Sequence, residues 1–412
     1  MYRKIDRCRL CQSPEIDPIL DLGTQCLTGI FPREREESVP AGPLELVKCR
    51  ICGLVQLGHN YDPSVLYGPT YGYRSGLNAS MVRHLESKVG RILERIPLGP
   101  DDLVIDIGSN DGTLLSAYPV PGPRLLGVDP TAAKFRDYYP RHMTVLEELF
   151  SAKAVQAVVG GQKAKVITSV AMFYDLEHPM DFVHEVVDVL DDAGIWVFEQ
   201  SYLPFMLEAK SYDTICHEHL EYYALGQIKF MAERSGLKIV DVEFNDVNGG
   251  SFSVTAAKAG SDHAEATSQV EAILAREEAL GIGTLELYEA FAPCVIEHRD
   301  ALLALLEDLK AKDKKVLGYG ASTKGNVLLQ HAGIDARLLP AIAEVNEDKF
   351  GAFTPGTRIP IISEKAARDM EPDYFLVLPW HFKKSILERE AAYLAGGGKF
   401  IFPLPEIEVV GE

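Results

Sequence analysis

The sequence predicts an α/β chain of three units: a small cysteine-containing N-terminal unit, a central Rossmann-like domain, and a C-terminal Rossmann-like domain preceded by helices. Two Cys-x-x-Cys pairs lie within the first 52 residues, and the apolar runs 103–107 and 315–319 each lead into a glycine-rich turn and a helical pattern. Strand, tight turn and helix in this order are typical of doubly wound sheets. Residues 263–314 predict two or three linking helices, broken near Gly281 and at Pro293. We place the units at residues 1–68, 69–260 and 261–412.

The N-terminal unit is predicted to bind zinc through four cysteines, Cys8, Cys11, Cys49 and Cys52. Each pair can supply two thiolates from one turn, and structural zinc prefers four ligands in a tetrahedron. Disulfides and redox-active dithiols are the alternatives. A fully ligated zinc would stabilise the fold and would not catalyse. Three thiols are left over, which favours a reducing compartment, and we expect the cytoplasm; they are Cys26, Cys216 and Cys294.

The first glycine turn predicts a cofactor site in the central domain. Glycine lets the backbone approach a ligand where a side chain would block it. The next strand-like run ends in Asp129, where a carboxylate can accept hydrogen bonds from both hydroxyls of a ribose. The turn departs from the Gly-x-Gly-x-x-Gly pattern, which weakens the case for a nicotinamide cofactor. The candidate cofactor residues are Asp106, Gly108, Ser109, Asn110, Gly112, Asp129 and, upstream, Ser75.

The segment from Thr214 to Tyr223 is the predicted acid/base centre. It places two histidines, two glutamates, a thiol and two phenols within ten positions, and a solvated helix face would not need imidazoles. On a helix, His219 would share a face with Tyr222 or Tyr223, whereas its neighbour Glu218 could not. A structural or metal-binding histidine pair is the alternative.

Two more side chains are expected at the same edge of the sheet, since ligands of open α/β sheets gather at the carboxyl ends of the strands. His178 follows one strand-like run and Tyr202 follows another. A solvent-exposed loop histidine is the alternative for His178. The segment 71–78, with Tyr71 and Tyr73, either closes over a site or is an ordinary surface turn.

The second glycine turn predicts a phosphate site in the C-terminal domain. A strand, a glycine turn and a helix start can present backbone N–H groups and short polar side chains to a phosphate. Because Lys324 is followed by Gly325, the turn departs from the Walker A pattern and NTP hydrolysis is not implied. A turn that serves only helix packing is the alternative. The candidate residues are Gly320, Ser322, Thr323 and Lys324.

The overall charge limits the partners. A formal net charge of −19 disfavours binding to nucleic acid or to an anionic membrane surface. We find no apolar run long enough to span a bilayer. A small anionic ligand is compatible with this charge, because a few local cations and helix N-termini suffice to bind it.

Taken in order, four motifs resemble those of the three-domain sugar C-methyltransferases that act on nucleotide-linked 4-keto-6-deoxy sugars. They are the four-cysteine unit, Asp-x-Gly-Ser-Asn-Asp-Gly at 106–112, His-Glu-His at 217–219 and Gly-Tyr-Gly-Ala-Ser-Thr-Lys-Gly at 318–325. Together with Asp129, the second motif also resembles class I S-adenosylmethionine-dependent methyltransferases. The resemblance implies a central class I methyltransferase domain, S-adenosylmethionine and zinc as cofactors, and a nucleotide-diphosphate sugar as the substrate.

The resemblance also implies roles for individual residues. The histidine matching His219 would remove the proton at sugar C3, with Glu218 nearby, and the C3 carbanion would take up the methyl group with inversion at C3. Tyr71, Tyr73 and His178 resemble other site positions of the family. The turn 318–324 would face the nucleotide diphosphate.

This chain departs from the family at Cys216, where many members have a tyrosine as a candidate for holding the C4 oxygen. A thiol is a poor hydrogen-bond donor. The role therefore either passes to Tyr71, Tyr73, Tyr222 or His178 or is dispensed with, while Cys216 and Tyr202 stay candidates for contact with the substrate.

Three rival functions are compatible with parts of the sequence. An O- or N-methyltransferase of a nucleotide sugar could use the same fold. A nicotinamide oxidoreductase would rest on the turn at Gly318, but the nearest convincing carboxylate, Glu344, lies farther than the usual distance of about twenty residues. A zinc-stabilised binding protein with a vestigial cofactor site is the third.

Overall fold

The computed structural model describes residues 2–66 and 73–411. In this part of the chain, the N-terminal unit contains the strands β1 (Tyr2–Lys4), β2 (Ile16–Cys26), β3 (Ala41–Cys49), β4 (Val55–Leu57) and β5 (His59–Tyr61), and the short helix α1 (Pro63–Leu66). Strands β2, β3 and β4 pair antiparallel, and β1 pairs with β5. Because Ile16 at the start of β2 lies opposite Cys49 at the end of β3, both turns that carry cysteine pairs lie at one end of the sheet.

The central domain is a doubly wound α/β domain. Its elements are α2 (Ala79–Arg95), β6 (Leu103–Ile107), α3 (Thr113–Ser116), β7 (Arg124–Val128), β8 (Thr144–Leu146), α4 (Ala152–Val159), β9 (Ala164–Val170), α5 (Pro179–Val189), β10 (Leu190–Ser201), α6 (Leu203–Glu208), β11 (Glu221–Tyr222), α7 (Leu225–Arg234), β12 (Leu237–Asn245) and β13 (Ser251–Lys258). Seven strands form a sheet in the order β12-β13-β10-β9-β6-β7-β8, in which β13 alone runs antiparallel to both of its neighbours. All five residues of β6 are buried, as expected for a parallel strand covered on both faces.

Strand β11 does not join the central sheet. It pairs antiparallel with β4 of the N-terminal unit, with Glu221 opposite Gln56 and Tyr222 opposite Val55. The histidine-rich segment is therefore held partly by the backbone of the N-terminal unit.

The C-terminal unit begins with two helices and continues as a second doubly wound domain. Its elements are α8 (Thr267–Leu280), α9 (Glu286–Ala311), β14 (Val316–Tyr319), α10 (Thr323–Ala332), β15 (Ile342–Glu344), β16 (Ile361–Ser363), α11 (Glu364–Asp369), β17 (Tyr374–Val377), α12 (Lys383–Arg389), α13 (Ala391–Ala395), β18 (Lys399–Phe402) and β19 (Glu408–Val410). The sheet order is β16-β15-β14-β17-β18-β19, with β19 antiparallel to β18.

The linking helices differ from the prediction at one point. Helix α8 ends at Leu280, next to Gly281, which adopts a left-handed conformation and caps the helix. Helix α9, however, runs through Pro293, so the break predicted there is wrong. Tyr288, Phe291 and Val295 are buried on this helix, and their packing on both sides of the proline offsets the missing backbone hydrogen bond.

The three units share extensive contacts. The end of β2 faces α10: Cys26 and Gln330 exchange two hydrogen bonds, of 2.8 and 3.1 Å, between the Cys26 backbone and the Gln330 amide. Nearby, the Asn326 amide donates to the Thr28 carbonyl at 2.8 Å. The N-terminal unit thus contacts the C-terminal domain as well as the central one.

The two doubly wound sheets and the cysteine-bearing unit confirm the predicted fold class. The boundary predicted at 68/69 falls within 67–72, outside the described residues, and stays a prediction. Among the helices of the described residues, none has the length and apolar character needed to cross a bilayer.

Candidate active site and cofactor sites

The four predicted zinc ligands come together at the end of the N-terminal sheet. Their sulfur atoms all lie within 4.8 Å of one another, and Cys8 Sγ to Cys52 Sγ and Cys11 Sγ to Cys49 Sγ are each 3.5 Å apart. Four thiolates at a zinc–sulfur distance of about 2.3 Å in a tetrahedron would be separated by about 3.8 Å. The donor set and its spacing therefore fit a structural zinc ion.

Backbone conformation explains why the first turn requires glycine. Gly108 and Gly112 have φ angles of +76° and +75°, which residues with a Cβ rarely adopt. A Cβ on Gly108 would also lie 2.9 Å from Cγ of Met172. The turn at the carboxyl end of β6 is thus a backbone cradle that fits the adenosyl part of a cofactor.

Asp129, at the end of β7, holds this turn. Its Oδ2 accepts the backbone N–H of Asn110 at 2.8 Å, and its Oδ1 accepts the backbone N–H of Thr131 at 2.6 Å. A carboxylate offers about four acceptor positions, so Asp129 can still bind a ribose hydroxyl. The Ser109 hydroxyl lies 2.8 Å from the hydroxyl of Tyr139, a residue that the sequence analysis did not identify.

Asp106 lies inside the sheet. Thr168 Oγ1 on β9 donates to Asp106 Oδ1 at 2.5 Å, and burial raises the pKa of Asp106 to about 7. This carboxyl group therefore supports the turn from within the sheet.

The segment that begins at Tyr73 lies against the first glycine turn, residues 108–112. The Asn110 side chain accepts the backbone N–H of Ser75 at 3.0 Å and donates to the carbonyl of Tyr73 at 3.2 Å. The Tyr73 residue itself is 50% exposed. Tyr71 lies outside the described residues.

His219 is held in one tautomer. Its Nδ1 lies 2.8 Å from the carbonyl oxygen of Thr214, and a carbonyl can only accept, so Nδ1 carries the hydrogen and Nε2 keeps a lone pair. The ring packs edge-on against Tyr174, with 4.5 Å between ring centroids. Tyr222 and Glu221 line the same small cavity, whose volume of about 10 Å³ has room for about one water molecule.

The segment is not a helix, so the helical-face argument is wrong, although Tyr222 does reach the cavity of His219. Tyr212–Thr214 forms a 3-10 turn, and the chain is then irregular up to β11. His217 faces the N-terminal unit: its Nε2 lies 3.3 Å from the Gly42 carbonyl oxygen, and its ring packs against Tyr61 at 4.8 Å. The two histidines therefore do not act as a pair.

Glu218 lies where all three units meet. Thr28 Oγ1 donates to its Oε2 at 3.4 Å. A Cβ on Gly29 would lie 2.5 Å from Glu218 Oε1 and 4.0 Å from Oγ1 of Thr323. Burial raises the pKa of Glu218, and burial together with Glu218 raises the pKa of the Cys216 thiol well above its usual range. Cys216 is therefore a neutral thiol.

Lys324 connects the C-terminal domain to the central domain. Its Nζ donates to the carbonyl of Asn248 at 2.7 Å. Burial and the charge of Lys324 lower the pKa of His219 to about 3. Asp213 is fully buried; its Oδ2 accepts from Trp380 Nε1 at 2.7 Å, while its Oδ1 has no hydrogen-bond partner among the described residues.

The second glycine turn has the geometry of a helix cap. Gly320 has a φ angle of +80°, and a Cβ there would lie 2.7 Å from Cδ of Pro379. Ser322 Oγ accepts the backbone N–H of Gly325 at 3.0 Å and so caps α10.

Glu344 is the counterpart of Asp129 in the C-terminal domain. It ends β15, and its Oε2 accepts the backbone N–H of Ala321 at 2.8 Å, as Asp129 accepts the N–H of Asn110. Glu344 thus lies at the end of a strand and beside the glycine turn, although it is farther along the chain than the usual spacing of about twenty residues.

Two predicted site residues lie elsewhere. His178 is exposed and lines a groove of about 630 Å³ between the N-terminal unit and α7, with Cys11 and Arg234. The Tyr202 hydroxyl donates to Glu277 Oε1 of α8 at 2.7 Å, so it holds a linking helix. The structure does not bring either side chain into the His219 cavity.

Comparison with known proteins agrees with this three-part arrangement. Three family models match successive parts of the chain: "Putative zinc binding domain" over residues 8–67, "Methyltransferase domain" over 81–242 and "C-methyltransferase C-terminal domain" over 246–405. The C-methyltransferase NovU of Streptomyces niveus is 33% identical over 413 residues, covering 100% of this chain and 98% of NovU. The chain belongs to this C-methyltransferase family.

Solved structures match one part of this C-methyltransferase. A S-adenosylmethionine-dependent methyltransferase from Clostridium acetobutylicum is 12% identical with a TM-score of 0.35, covering 43% of this chain and 92% of its own. Magnesium protoporphyrin IX methyltransferase from Synechocystis, with bound S-adenosylmethionine, is 13% identical with a TM-score of 0.32, covering 43% and 79%.

The family membership confirms two predictions. The protein is an S-adenosylmethionine-dependent C-methyltransferase, and S-adenosylmethionine and zinc are its cofactors. The four cysteines fit the metal, and the cradle formed by Gly108, Gly112 and Asp129 fits the adenosyl cofactor.

Proposed function

We propose that this C-methyltransferase methylates C3 of a nucleotide-diphosphate-linked 4-keto-6-deoxy sugar, and that His219 removes the C3 proton. The observation that carries the proposal is the hydrogen bond from His219 Nδ1 to the Thr214 carbonyl. It fixes the neutral tautomer whose Nε2 is a free base.

The keto group makes this chemistry feasible. A sugar C–H is a very weak acid, whereas loss of a proton alpha to a carbonyl gives a delocalised enolate. Bound S-adenosylmethionine would supply an electrophilic methyl group. Since the methyl group is expected to enter opposite the departing proton, the configuration at C3 would invert.

Lys324 couples base strength to substrate binding. Its charge contributes to the low pKa of His219, which makes the imidazole a weak base before the substrate binds. A diphosphate next to Lys324 would offset this charge and raise the pKa of His219. The base would therefore strengthen when the substrate is in place.

The C-terminal domain is the proposed site of the nucleotide. The start of α10 offers backbone N–H groups, and Lys324 offers a positive charge beside it. Glu344 would accept hydrogen bonds from the nucleotide ribose, as Asp129 would from the ribose of the cofactor.

Tyr222 is the proposed donor to the C4 oxygen. It lines the His219 cavity, and its hydroxyl makes a long hydrogen bond of 3.5 Å to the Thr214 carbonyl. A short hydrogen bond to an enolate oxygen would be stronger, and such donors lower the barrier when charge develops on oxygen. The neutral thiol of Cys216 is not suited to this role.

Product analysis tests the proposal. The protein would be incubated with S-adenosylmethionine and a panel of nucleotide 4-keto-6-deoxy sugars in deuterium oxide. We expect a mass gain of one methyl group and a quaternary C3 in the NMR spectrum. Methylation of an oxygen or nitrogen, or turnover of sugars that lack the keto group, would refute the enolate mechanism and support the O- or N-methyltransferase alternative.

A further inference from the structure

The two cysteine pairs carry an arginine at the same position, but the two arginines have opposite surroundings. Arg50, between Cys49 and Cys52, has a side chain that is 59% exposed and pairs with Asp17 at 2.6 Å. Arg9, between Cys8 and Cys11, is only 4% exposed. A buried guanidinium needs partners for its donors. The first cysteine turn thus holds a buried charge, whereas the charge of the second turn is exposed to solvent.

Arg9 is bonded to the strands beside it. Its Nη1 donates to the Leu57 carbonyl at 2.7 Å and its Nη2 to the His59 carbonyl at 3.0 Å. Its Nε donates to Asn60 Oδ1 at 3.0 Å, and its backbone N–H donates to Gln56 Oε1 at 3.0 Å. These bonds fix the guanidinium plane, because the donors of arginine form a rigid fork.

Further contacts connect Arg9 to the segment 214–223, which contains His219. Arg9 Nη1 also lies 3.4 Å from the Leu220 carbonyl, and this carbonyl accepts the backbone N–H of Leu57 at 2.9 Å. The backbone N–H of Leu220 donates to the carbonyl of Tyr174 at 2.9 Å, and the Tyr174 ring packs against His219. Leu220 is thus held on one side by the N-terminal unit and on the other by Tyr174, which packs against His219.

Glu221 gives a second link. It is 2% exposed and lines the His219 cavity, and neither of its carboxylate oxygens accepts a hydrogen bond from the described residues. Arg9 Nε lies 3.8 Å from Glu221 Oε1. A buried pair at this distance is costly to break by removing one partner, because the other charge is then left uncompensated.

We propose that Arg9 is a positioning residue that transmits the geometry of the first cysteine turn to His219 through Leu220 and Glu221. The cysteine cluster then does more than stabilise the N-terminal unit. It also sets the position of the base, so zinc binding and proton abstraction are coupled.

Arg9→Lys and Arg50→Lys are the matched variants, since both keep the charge, both lose the guanidinium fork, and both lie between two zinc ligands. The full-length zinc-loaded proteins would be compared by amide hydrogen exchange over residues 214–223, with zinc content and S-adenosylhomocysteine affinity measured in parallel. In Arg9→Lys we expect amide exchange at least 10-fold faster over residues 214–223, with the zinc content and the S-adenosylhomocysteine affinity unchanged. Arg50→Lys should match the wild type.

Activity gives a second readout that simple destabilisation would not reproduce. In Arg9→Lys the kcat should fall by about 10- to 100-fold with an unchanged KM for S-adenosylmethionine, since small misplacements of a catalytic group cost this much. Equal exchange rates in the two variants, or an unchanged kcat in folded Arg9→Lys, would overturn the proposal. The exchange readout does not depend on the identity of the sugar substrate.

A double variant covers the case in which Arg9→Lys does not fold. Arg9→Met with Glu221→Gln removes both charges, so no charge is buried alone. We expect this variant to bind zinc and S-adenosylhomocysteine and still to show fast exchange over 214–223. Wild-type exchange in the double variant would overturn the proposal.

Discussion

The matching positions of Asp129 and Glu344 allow the cofactor site and the proposed nucleotide site to be separated by experiment. Each carboxylate ends the second strand of its domain and accepts a backbone N–H of the glycine turn at 2.8 Å. In Asp129→Asn and Glu344→Gln the charge is lost, and one carboxylate oxygen becomes an NH2 group that cannot accept. We expect Asp129→Asn to weaken only the adenosyl cofactor and Glu344→Gln to weaken only the nucleotide.

The expected loss of ligand affinity follows from the hydrogen bond that each variant removes. A hydrogen bond to a charged group contributes about 1.5–3 kcal/mol, and about 1.4 kcal/mol is a factor of ten in Kd. Loss of one such bond to a ribose hydroxyl therefore predicts a Kd about 10- to 100-fold higher. Both variants also lose a turn bond, so a similar small fall in Tm is expected for the two.

Isothermal titration calorimetry with S-adenosylhomocysteine and with a panel of nucleoside diphosphates measures both affinities. Each variant is the control for the other. Equal weakening of S-adenosylhomocysteine in both variants, or nucleoside diphosphate binding that is lost in Asp129→Asn and kept in Glu344→Gln, would refute the assignment of the two sites.

Two further predictions concern His219 and the cofactor turn. The His219 imidazole should stay neutral at pH 5, because burial and Lys324 lower its pKa to about 3. Lys324→Gln should raise the pKa of His219, while burial keeps it below 6.5. An NMR titration of both proteins measures these pKa values, and an unchanged pKa in the variant would contradict the role of Lys324. Gly108→Ala should destabilise the fold by about 2–4 kcal/mol, since it adds a contact of 2.9 Å with Met172 to an unfavourable φ of +76°. Gly160→Ala, at a φ of +68° with open space around it, should lose only about 1–2 kcal/mol, and equal losses in urea unfolding would show that the contact does not matter.

Local sequence was sufficient for the features that depend on a few consecutive residues. Glycines at positive φ, cysteine pairs on tight turns and a carboxylate at the end of a strand leave a pattern in the chain itself. Gly108, Asp129 and the four cysteines were found in this way. The identity of the whole family followed from the order of four such motifs.

The remaining features depend on how distant segments pack. Thr28 and Gly29 frame Glu218 from nearly two hundred positions away, and nothing in their own neighbourhood marks them. The same holds for Asp213, whose contact with Trp380 forms only when the central and C-terminal domains assemble, and for Tyr174, which packs against His219 within the central domain. The segment around His219 is also not helical: it is irregular up to β11, where Glu221 and Tyr222 pair with β4 of the N-terminal unit.

The charge of Lys324 shows why reactivity was harder to predict than residue type. The sequence identified His219 and Lys324 separately, in different domains. Only the structure shows that the second lowers the pKa of the first. The basicity of the His219 imidazole therefore depends on domain packing, which no single motif encodes.

The central claim is that His219 is the base, and the most direct test is to measure methyl transfer and cofactor affinity in His219→Asn. Asparagine can still donate to the Thr214 carbonyl but has no basic nitrogen. We predict an unchanged Kd for S-adenosylmethionine and a methyl-transfer rate reduced by about 10²- to 10⁴-fold, the usual contribution of general base catalysis. A folded His219→Asn variant with wild-type transfer would contradict the claim.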